Sequence, residues 1–349
     1  MKNYKLWAAI LLLAVATLWG FLGSDSQAET QTVVMNAIEV SEVQPVVPEV
    51  QKVEIKHTNT KAKDIQFDDS IKVAAQQVVS QYQSALRFPK YSQPLSKFDT
   101  DRLTPNMFYP VSMPTDEQGG KLTIKLAKYR FIYPENIHVN ISGAEIDKVS
   151  VTLMDVDTKM VFKTQSLVAN QSSYDIKFKA NKDYPRNLQV VAQVSVQNKK
   201  VPVVAQLQYM QPSAKLLSIG NAYSENDKMS VPLHLDVFKA GNYRIRANLY
   251  ALGEPIAHLT TKGKLSEGLQ NLSLSAHWSV LNPQASSMSL SEFVIELMSP
   301  SPAQPSLFGS SEIKHFEIND FVFDSLQQVP YQPSKNELKS LTFLQNLAN

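Results

Sequence analysis

Few residues of this chain have the types and spacing that chemistry at a protein site requires. His234 and Asp236 are two positions apart, so on a strand they would share one face and could form an acid–base pair or bind a metal ion together. A third ligand is missing from this pattern. Polar positions that alternate with core positions explain the same spacing, so we interpret the pair as part of an exposed strand face.

Two pairs of aspartates could contribute oxygen ligands to a calcium site. Asp99 with Asp101, and Asp155 with Asp157, place two carboxylates close together in the chain. Neither pair continues into the full series of ligands that a calcium loop needs. Asp155 and Asp157 fall in a predicted hairpin turn, where aspartate is favoured because its side chain bonds the turn backbone. We therefore interpret them as turn residues and expect no metal site.

The common catalytic and phosphate-binding motifs are missing from the sequence. It contains no G-x-S-x-G, no H-E-x-x-H, no glycine-rich phosphate loop and no C-x-x-C. Ser311 and Lys314 match S-x-x-K once, but on a predicted strand residues three apart face opposite ways. The chain has no cysteine, which excludes disulfides and thiol nucleophiles. We expect a protein that is not an enzyme and uses no cofactor.

The charge of the chain gives little attraction for nucleic acid. Lysine and arginine number 34 and aspartate and glutamate number 32, so the net charge is only +2. A large basic field is the usual mark of a nucleic-acid-binding protein. We therefore expect no nucleic acid among the partners.

Residues 1–23 are predicted to be a membrane anchor or a signal peptide. Lys2 and Lys5 precede the uncharged apolar run from Leu6 to Leu22. This run reaches the lower limit of roughly 17 to 25 residues for a spanning helix, which favours an uncleaved anchor. The alternative is a signal that is cut after the small-x-small sequence Ser26-Gln27-Ala28 and leaves a periplasmic or secreted protein.

The charges around the apolar run predict its orientation. Two lysines precede the run, whereas the stretch from Ser24 to Gln51 contains five acidic residues and no lysine or arginine. Positive residues remain on the cytoplasmic side of a membrane segment. We therefore expect a single-pass protein of the inner membrane, with its N-terminus inside and its bulk in the periplasm.

Two different segments connect the apolar run to the first predicted strand. Residues 24–66 show no sustained period of 2 or 3.6, which is typical of an extended linker. Residues 67–120 begin with an amphipathic helix that ends near Arg87 and continue as an ordered segment rich in proline. The apolar face of the helix is predicted to contain Ile71, Val78 and Tyr82. We favour a face that caps the first β-sandwich, and the alternative is a face that binds a partner.

From Lys121 onward the pattern changes to short alternating strands. Residues 121–211 and 212–325 each contain seven predicted strands, and Gln211-Pro212 marks the joint. Seven such strands in about 90 residues are typical of an immunoglobulin-like sandwich. The predicted fold is therefore mainly β, with two tandem immunoglobulin-like β-sandwiches after the anchor or signal, the linker and the helix.

These two halves resemble bacterial immunoglobulin-like modules of envelope and secreted proteins. The resemblance is carried by YRFIYPENIHVNISG and DKVSVTLMD in the first half and by AGNYRIRANLYALGEPIAHL in the second. It covers about Lys121 to Phe323 and depends on strand rhythm and tyrosine placement. Such modules imply binding, spacing or assembly, and they supply no catalytic residues.

Residues 326–349 are predicted to be a tail with a short helix. Ser334 and Glu337 have the spacing of a capping box, in which each side chain bonds the other residue's backbone N–H. Leucines follow at intervals of three, among them Leu341 and Leu344. The helix could dock on a partner or fold back on the second sandwich.

These observations lead to an expectation about function. We expect a membrane-tethered interaction or assembly protein of the cell envelope that binds protein partners through sandwich edges and the N-terminal helix. The candidate contacts are Ile71, Val78, Tyr82, Leu341 and Leu344. The alternative is an exported protein that binds or hydrolyses a ligand such as a glycan. The missing acid pair and a single tryptophan, Trp278, in the predicted sandwiches argue against glycans.

Overall fold

The computed structural model describes residues 69–115, 120–196, 199–285 and 287–348. The predicted anchor or signal at 1–23 and the predicted linker at 24–66 lie outside the described residues. Within the described ranges the chain is mainly β, and none of the helices there has the length and apolar character to cross a membrane.

Two helices from opposite ends of the described chain pack against each other. Helix α1 spans Asp69–Ala85 and helix α3 spans Lys335–Ala348, while the short helix α2 spans Thr100–Leu103. We call α1 and α3 the helix pair. Lys90, just after α1, forms an ion pair of 3.2 Å with Glu337 in the first turn of α3. The end of α1 therefore meets the start of α3, and the two helices are antiparallel.

The helix pair corrects one expectation and confirms another. The favoured interpretation, that α1 caps the first sandwich, is wrong: the element that α1 packs against in the described part of the chain is α3, and the ion pair between Lys90 and Glu337 joins the two. The capping box is confirmed: the Ser334 N–H donates to Glu337 Oε2 at 2.8 Å, and Glu337 N–H donates to Ser334 Oγ at 3.3 Å. The hydrogen bonds from Ser334 lower the pKa of Glu337 to about 2.

The first β-module is a sheet of seven strands that surrounds one core. Its strands are β2 Val111–Pro114, β3 Lys121–Leu126, β4 Arg130–Ile132, β5 Ile137–Asp155, β6 Val161–Phe178, β7 Asn187–Val196 and β8 Lys199–Met210. Their order is β2-β3-β5-β7-β8-β4, with β6 paired to β5. Only β4 and β8 run parallel among these pairs. Buried alternate residues of β3, β5, β7 and β8 form the core.

Strands β5 and β6 are longer than the sequence predicted. The alternating pattern predicts separate strands at 136–141 and 148–154, which β5 joins into one, and at 160–166 and 174–179, which β6 joins into one. The register between β5 and β6 shifts after Ser142 and after Ile146. Such bulges break the alternation of side chains and bend the hairpin without ending the ladder, so each long strand was predicted as two. β5 then pairs with β3 over its first part and with β7 over its second.

The second β-module has two sheets over one core. Its strands are β1 Ser92–Pro94, β9 Ala214–Ile219, β10 Tyr223–Glu225, β11 Lys228–Val237, β12 Gly241–Ala251, β13 Glu254–Leu265, β14 Gly268–His277, β15 Met288–Leu297, β16 Leu307–Phe308, β17 Ser310–Ser311 and β18 His315–Ile318. One sheet has the order β1-β13-β12-β15-β16 with β18 on β15, and the other has β10-β11-β9-β17 with β14 on β11. Both sheets contribute residues to the same apolar core.

A segment that precedes the first β-module in the sequence completes the second β-module. Strand β1 pairs antiparallel with β13, and Ser92 lies opposite Leu259. The hydroxyl of Ser92 accepts a hydrogen bond of 3.0 Å from the His277 N–H. Arg102, which follows β1 in the chain, is also bonded to the second β-module: its carbonyl accepts a hydrogen bond of 2.7 Å from the Asn248 side chain. The second β-module is therefore assembled from two separate parts of the chain, with the first β-module between them.

The turn between β12 and β13 gives a test of backbone strain. Leu252 and Gly253 both have positive φ, 53° and 82°, which is the geometry of a type I′ hairpin turn. Leucine adopts this conformation at a cost of about 1 kcal/mol, and Leu252 is 59% exposed, so packing offsets little of it. We expect Leu252→Asn to raise the free energy of unfolding by about 0.5–1 kcal/mol, measured by urea denaturation.

Leu269 provides the matched control for this turn. It is 76% exposed and lies in strand β14, where asparagine is unfavourable. Leu269→Asn should leave stability unchanged or lower it. An unchanged or lower free energy of unfolding in Leu252→Asn would show that the turn is not strained.

Candidate functional site

The apolar face of α1 is wider than the face that α3 covers. Its covered side consists of Ala75 and Val79, followed by Leu86 directly after the helix, and these residues are buried or half-buried. Its exposed side consists of Ala74, Val78 and Ala85, and Val78 is 46% exposed. Tyr82 lies between the two sides and is half-buried. Half of the predicted apolar face therefore packs within the fold, and the other half faces solvent.

A shallow groove runs where the two helices meet. It is lined by Tyr82, Lys339, Ser340, Phe343 and Leu344, and we call it the helix-pair groove. Phe343 is 65% exposed. Since Val78 is one turn before Tyr82 on α1, the exposed side of α1 continues into this groove.

The groove brings together residues that the sequence predicted in separate segments. Tyr82 and Leu344 line it, and Leu341 is half-buried on α3. Ile71 belongs to the first turn of α1, but its side chain lies outside the described residues. Phe343 also lines the groove but is not predicted from the sequence, because it falls outside the leucine spacing of three in α3.

The other candidate residues form no shared site. His234 is exposed, and its Nδ1 lies 2.7 Å from Asn271 Oδ1 across the strand pair β11 and β14. Asp155 accepts hydrogen bonds from the backbone N–H groups of Asp157 and Thr158, which confirms that it stabilises a turn. Within the described ranges, no group of three or more histidine, aspartate or glutamate side chains could hold a metal ion.

A second candidate site lies on the outer face of the larger sheet of the second β-module. Tyr243, Ile245 and Ala247 of β12 are fully buried in the core, so the alternate residues Arg244 and Arg246 face outward. In the register with β13, Arg244 lies opposite Lys262, Arg246 opposite Thr260, and Asn248 opposite His258. Pleating therefore gathers basic side chains on one face.

The segment that precedes the first β-module in the sequence lies beside this face, and together they form a cleft of about 610 Å³. The link from α1 to β1 contributes Lys90 and Tyr91, and helix α2 contributes Arg102. We call this the basic cleft, defined by Lys90, Arg102, Arg244, Arg246, His258 and Lys262. The basic cleft could not be predicted from the sequence, because its residues come from distant segments with no shared spacing.

One carboxylate holds both arginines of β12. Glu296 Oε2 accepts hydrogen bonds from Arg244 Nε at 3.0 Å, from Arg244 Nη2 at 2.7 Å and from Arg246 Nη2 at 3.1 Å. Its side chain is only 8% exposed. Burial, and then the neighbouring Arg244, lower the pKa of Arg246. Two positive charges thus share one negative charge, and Arg246 Nε is buried without a partner among the described residues.

A hydrogen-bond chain fixes the proton on His258. Asn248 donates its Nδ2–H to the Arg102 carbonyl at 2.7 Å, so its Oδ1 is the acceptor for His258 Nδ1 at 2.7 Å. Burial, with the charges of Arg102 and Arg246, lowers the pKa of His258 to about 4. His258 is therefore neutral at pH 7, with its proton on Nδ1 and a lone pair on Nε2.

A β-bulge in β15 brings Glu292 to the cleft. Arg246 lies opposite Val294 and Asn248 opposite Ser291, so β15 has one extra residue at this point. Glu292 has a φ of 57°, a left-handed conformation that costs about 1–3 kcal/mol in a non-glycine residue. Burial raises the pKa of its carboxyl group, against the opposing effect of Lys314. Bulges of this kind are frequent next to binding sites, where they redirect a side chain.

Comparison with known proteins assigns no family and no function to this chain. No family model matches the chain, and no curated protein matches it. A DUF4785 family protein of Legionella pneumophila is similar at 16% identity and a TM-score of 0.40, over 50% of this chain and 52% of that chain. Alpha-2-macroglobulins of E. coli and Salmonella are similar at 11% and 12% identity.

The alpha-2-macroglobulin similarities have TM-scores of 0.23 and 0.24 and cover 56% of this chain but only 16% of each of those chains. The chain thus spans about half the length of the Legionella protein and a small part of the other two. TM-scores this low carry no argument about fold or function.

Proposed function

We propose that this protein is a non-enzymatic interaction or assembly protein that works outside the cytoplasm and binds a protein partner through the helix pair. In this proposal Leu6 to Leu22 tether the chain to the inner membrane, and the two β-modules are tandem immunoglobulin-like sandwiches whose edges can also bind partners. The N-terminus that precedes Leu6 then lies in the cytoplasm, and the β-modules lie in the periplasm.

The observation that supports this most is the uncovered half of the apolar face of α1 beside the helix-pair groove. Val78 and Phe343 are 46% and 65% exposed on neighbouring helices. Full burial of such a side chain contributes about 1.5–3 kcal/mol, so a partner that covers both gains binding energy. The groove between two helices suits an amphipathic helix of the partner, whose apolar residues would fill it.

A second candidate function, that of an exported protein that binds or hydrolyses a ligand such as a glycan, is supported by a different observation. The basic cleft combines three arginine side chains with a histidine of fixed tautomer. Such convergent polar groups in a concave site are typical of small-molecule binding.

Site-specific photo-crosslinking in cells tests the proposed partner. We expect a photoreactive phenylalanine derivative at position 343 or 78 to yield a crosslinked protein adduct, because these positions would be buried in the complex. The same derivative at Leu269, which is 76% exposed in β14, is the control and should give none. The adducts would be identified by mass spectrometry after purification from solubilised envelopes.

Charge substitutions measure how much the groove contributes. Val78→Asp and Phe343→Asp should each reduce partner recovery at least about tenfold, because hot-spot contacts at the centre of an interface contribute about 2 kcal/mol or more each. Leu269→Asp should retain recovery. Partner recovery at the wild-type level from correctly folded Val78→Asp and Phe343→Asp proteins would refute binding through the helix pair.

A further inference from the structure

We infer that the basic cleft binds an acidic sugar, that is, a ligand with several hydroxyl groups and one carboxylate. This inference concerns the second β-module and does not depend on the helix pair, so either proposal can fail without the other.

The charges of the cleft favour an anionic group. Five cationic side chains line it, Lys90, Arg102, Arg244, Arg246 and Lys262. Asp101 and Glu292 also line it, and Glu296 holds the two arginines of β12. Lys90 is already paired with Glu337, so five positive groups face four negative groups and the excess is one positive charge. A carboxylate on the ligand would reduce this excess.

Arg246 offers a carboxylate its Nη1, because its Nε, which also lacks a partner among the described residues, is buried out of contact with solvent. Its Nη2 donates to Glu296 at 3.1 Å, and this is the one hydrogen bond that its guanidinium makes to the described residues. A guanidinium presents its N–H groups in a fork that matches the two oxygens of a carboxylate. Arg244, in contrast, already uses Nε and Nη2 on Glu296. The ligand carboxylate is therefore assigned to Arg246, with Lys262 on the neighbouring strand.

The acceptors of the cleft favour hydroxyl groups on the same ligand. His258 Nε2 has a lone pair and no hydrogen bond to the described residues. Gln93 donates both of its amide hydrogen bonds to the carbonyls of Phe88 and Pro89, which leaves its Oε1 as an acceptor. Glu292 and Asp101 add carboxylates. Inorganic phosphate has at most two hydroxyl groups to donate to these acceptors at pH 7, whereas a sugar has several.

The size of the cleft agrees with this class of ligand. Its volume of about 610 Å³ lies within the range of roughly 300–1,000 Å³ that small-molecule sites occupy. A monosaccharide or a disaccharide unit fits in such a volume. Tyr91 at the wall gives one aromatic ring that the apolar face of a sugar can contact.

Calorimetric titration of the full chain in detergent, at pH 7 and constant ionic strength, tests the inference with four probes. We expect glucuronate to bind with a dissociation constant of about 1 mM, which is ordinary for a single sugar. Glucose, which lacks the carboxylate, and acetate, which lacks the hydroxyls, should each bind at least tenfold more weakly, and so should inorganic phosphate. Equal affinity for glucose, for acetate or for phosphate would refute an acidic-sugar site, as would no binding of glucuronate.

Variants locate the binding in the cleft. Arg246→Met and Arg246→Lys should each weaken glucuronate binding at least tenfold, because lysine keeps the charge but not the fork. Lys262 is exposed, so Lys262→Met tests the same site without a risk to folding, and it should weaken binding about threefold to tenfold. Lys264 lies two residues further along β13, is also exposed and does not line the cleft.

Lys264→Met therefore changes the net charge equally and should leave the affinity within about twofold. Glucuronate affinity that is unchanged in both Lys262→Met and a folded Arg246→Met would overturn the assignment.

Discussion

Glu296→Gln should lower the free energy of unfolding by about 3 kcal/mol, because it removes the one carboxylate that holds two partly buried arginines. Glu296 is 8% exposed, while the side chains of Arg244 and Arg246 are 34% and 28% exposed. Without the carboxylate, two guanidiniums on neighbouring positions of β12 repel each other where water screens them little. Urea denaturation at pH 7 would measure the change.

Two further variants separate this effect from the loss of an ordinary ion pair. Lys215 and Glu312 form a pair of 2.6 Å, but Glu312 is 84% exposed, so Glu312→Gln should cost less than about 1 kcal/mol. Adding Arg246→Met to Glu296→Gln should recover part of the lost stability, because it removes one of the two repelling charges. Equal losses in Glu296→Gln and Glu312→Gln would contradict the argument.

Gly309→Ala should lower the free energy of unfolding by about 3 kcal/mol, because no space exists for a methyl group there. Gly309 lies between β16, which pairs with β15, and β17, which pairs with β9, so the chain passes from one sheet to the other at this point. An added Cβ would lie 2.5 Å from the Ala214 carbonyl oxygen and 2.8 Å from Ile295 Cγ2. The carbonyl belongs to the backbone of β9, so it cannot move aside as a side chain would.

The turn glycine Gly253 is the control for this substitution. Nothing lies within 4 Å of a Cβ added there, and asparagine tolerates its φ of 82°. Gly253→Asn should therefore change the free energy of unfolding by less than about 1 kcal/mol. Thermal and urea denaturation of both variants would measure the difference, and a mild effect of Gly309→Ala would mean that β9 and β17 can separate at little cost.

Features that depend on neighbours in the sequence could be predicted. The capping box of Ser334 and Glu337, the turn at Asp155 and the alternation of β12 all arise within a few residues, and each is present in the fold. The amphipathic pattern of α1 was also predicted, but not how much of its face would be covered. The pattern shows which residues are apolar, whereas α3 decides which of them are buried.

Features that depend on distant partners could not be predicted. Strand β1 has three residues and ends in Pro94, so it shows no period of its own and is a strand only because β13 binds it. Arg244 and Arg246 look like ordinary exposed strand positions until Glu296 and Arg102 are placed beside them. The bulge at Glu292 has no local signal, because it results from the register between β12 and β15.

The path of the chain through the second β-module has a mechanical consequence. Because β1 is bonded to β13 before the chain enters the first β-module, a pulling force applied to the chain upstream of α1 loads the helix pair and β1 first. Where the opposing load acts on the second β-module, its sheets bear the force and the first β-module lies outside the line of force. Under tension the first β-module can therefore keep its strands and its edges intact while the second β-module acts as the anchor point.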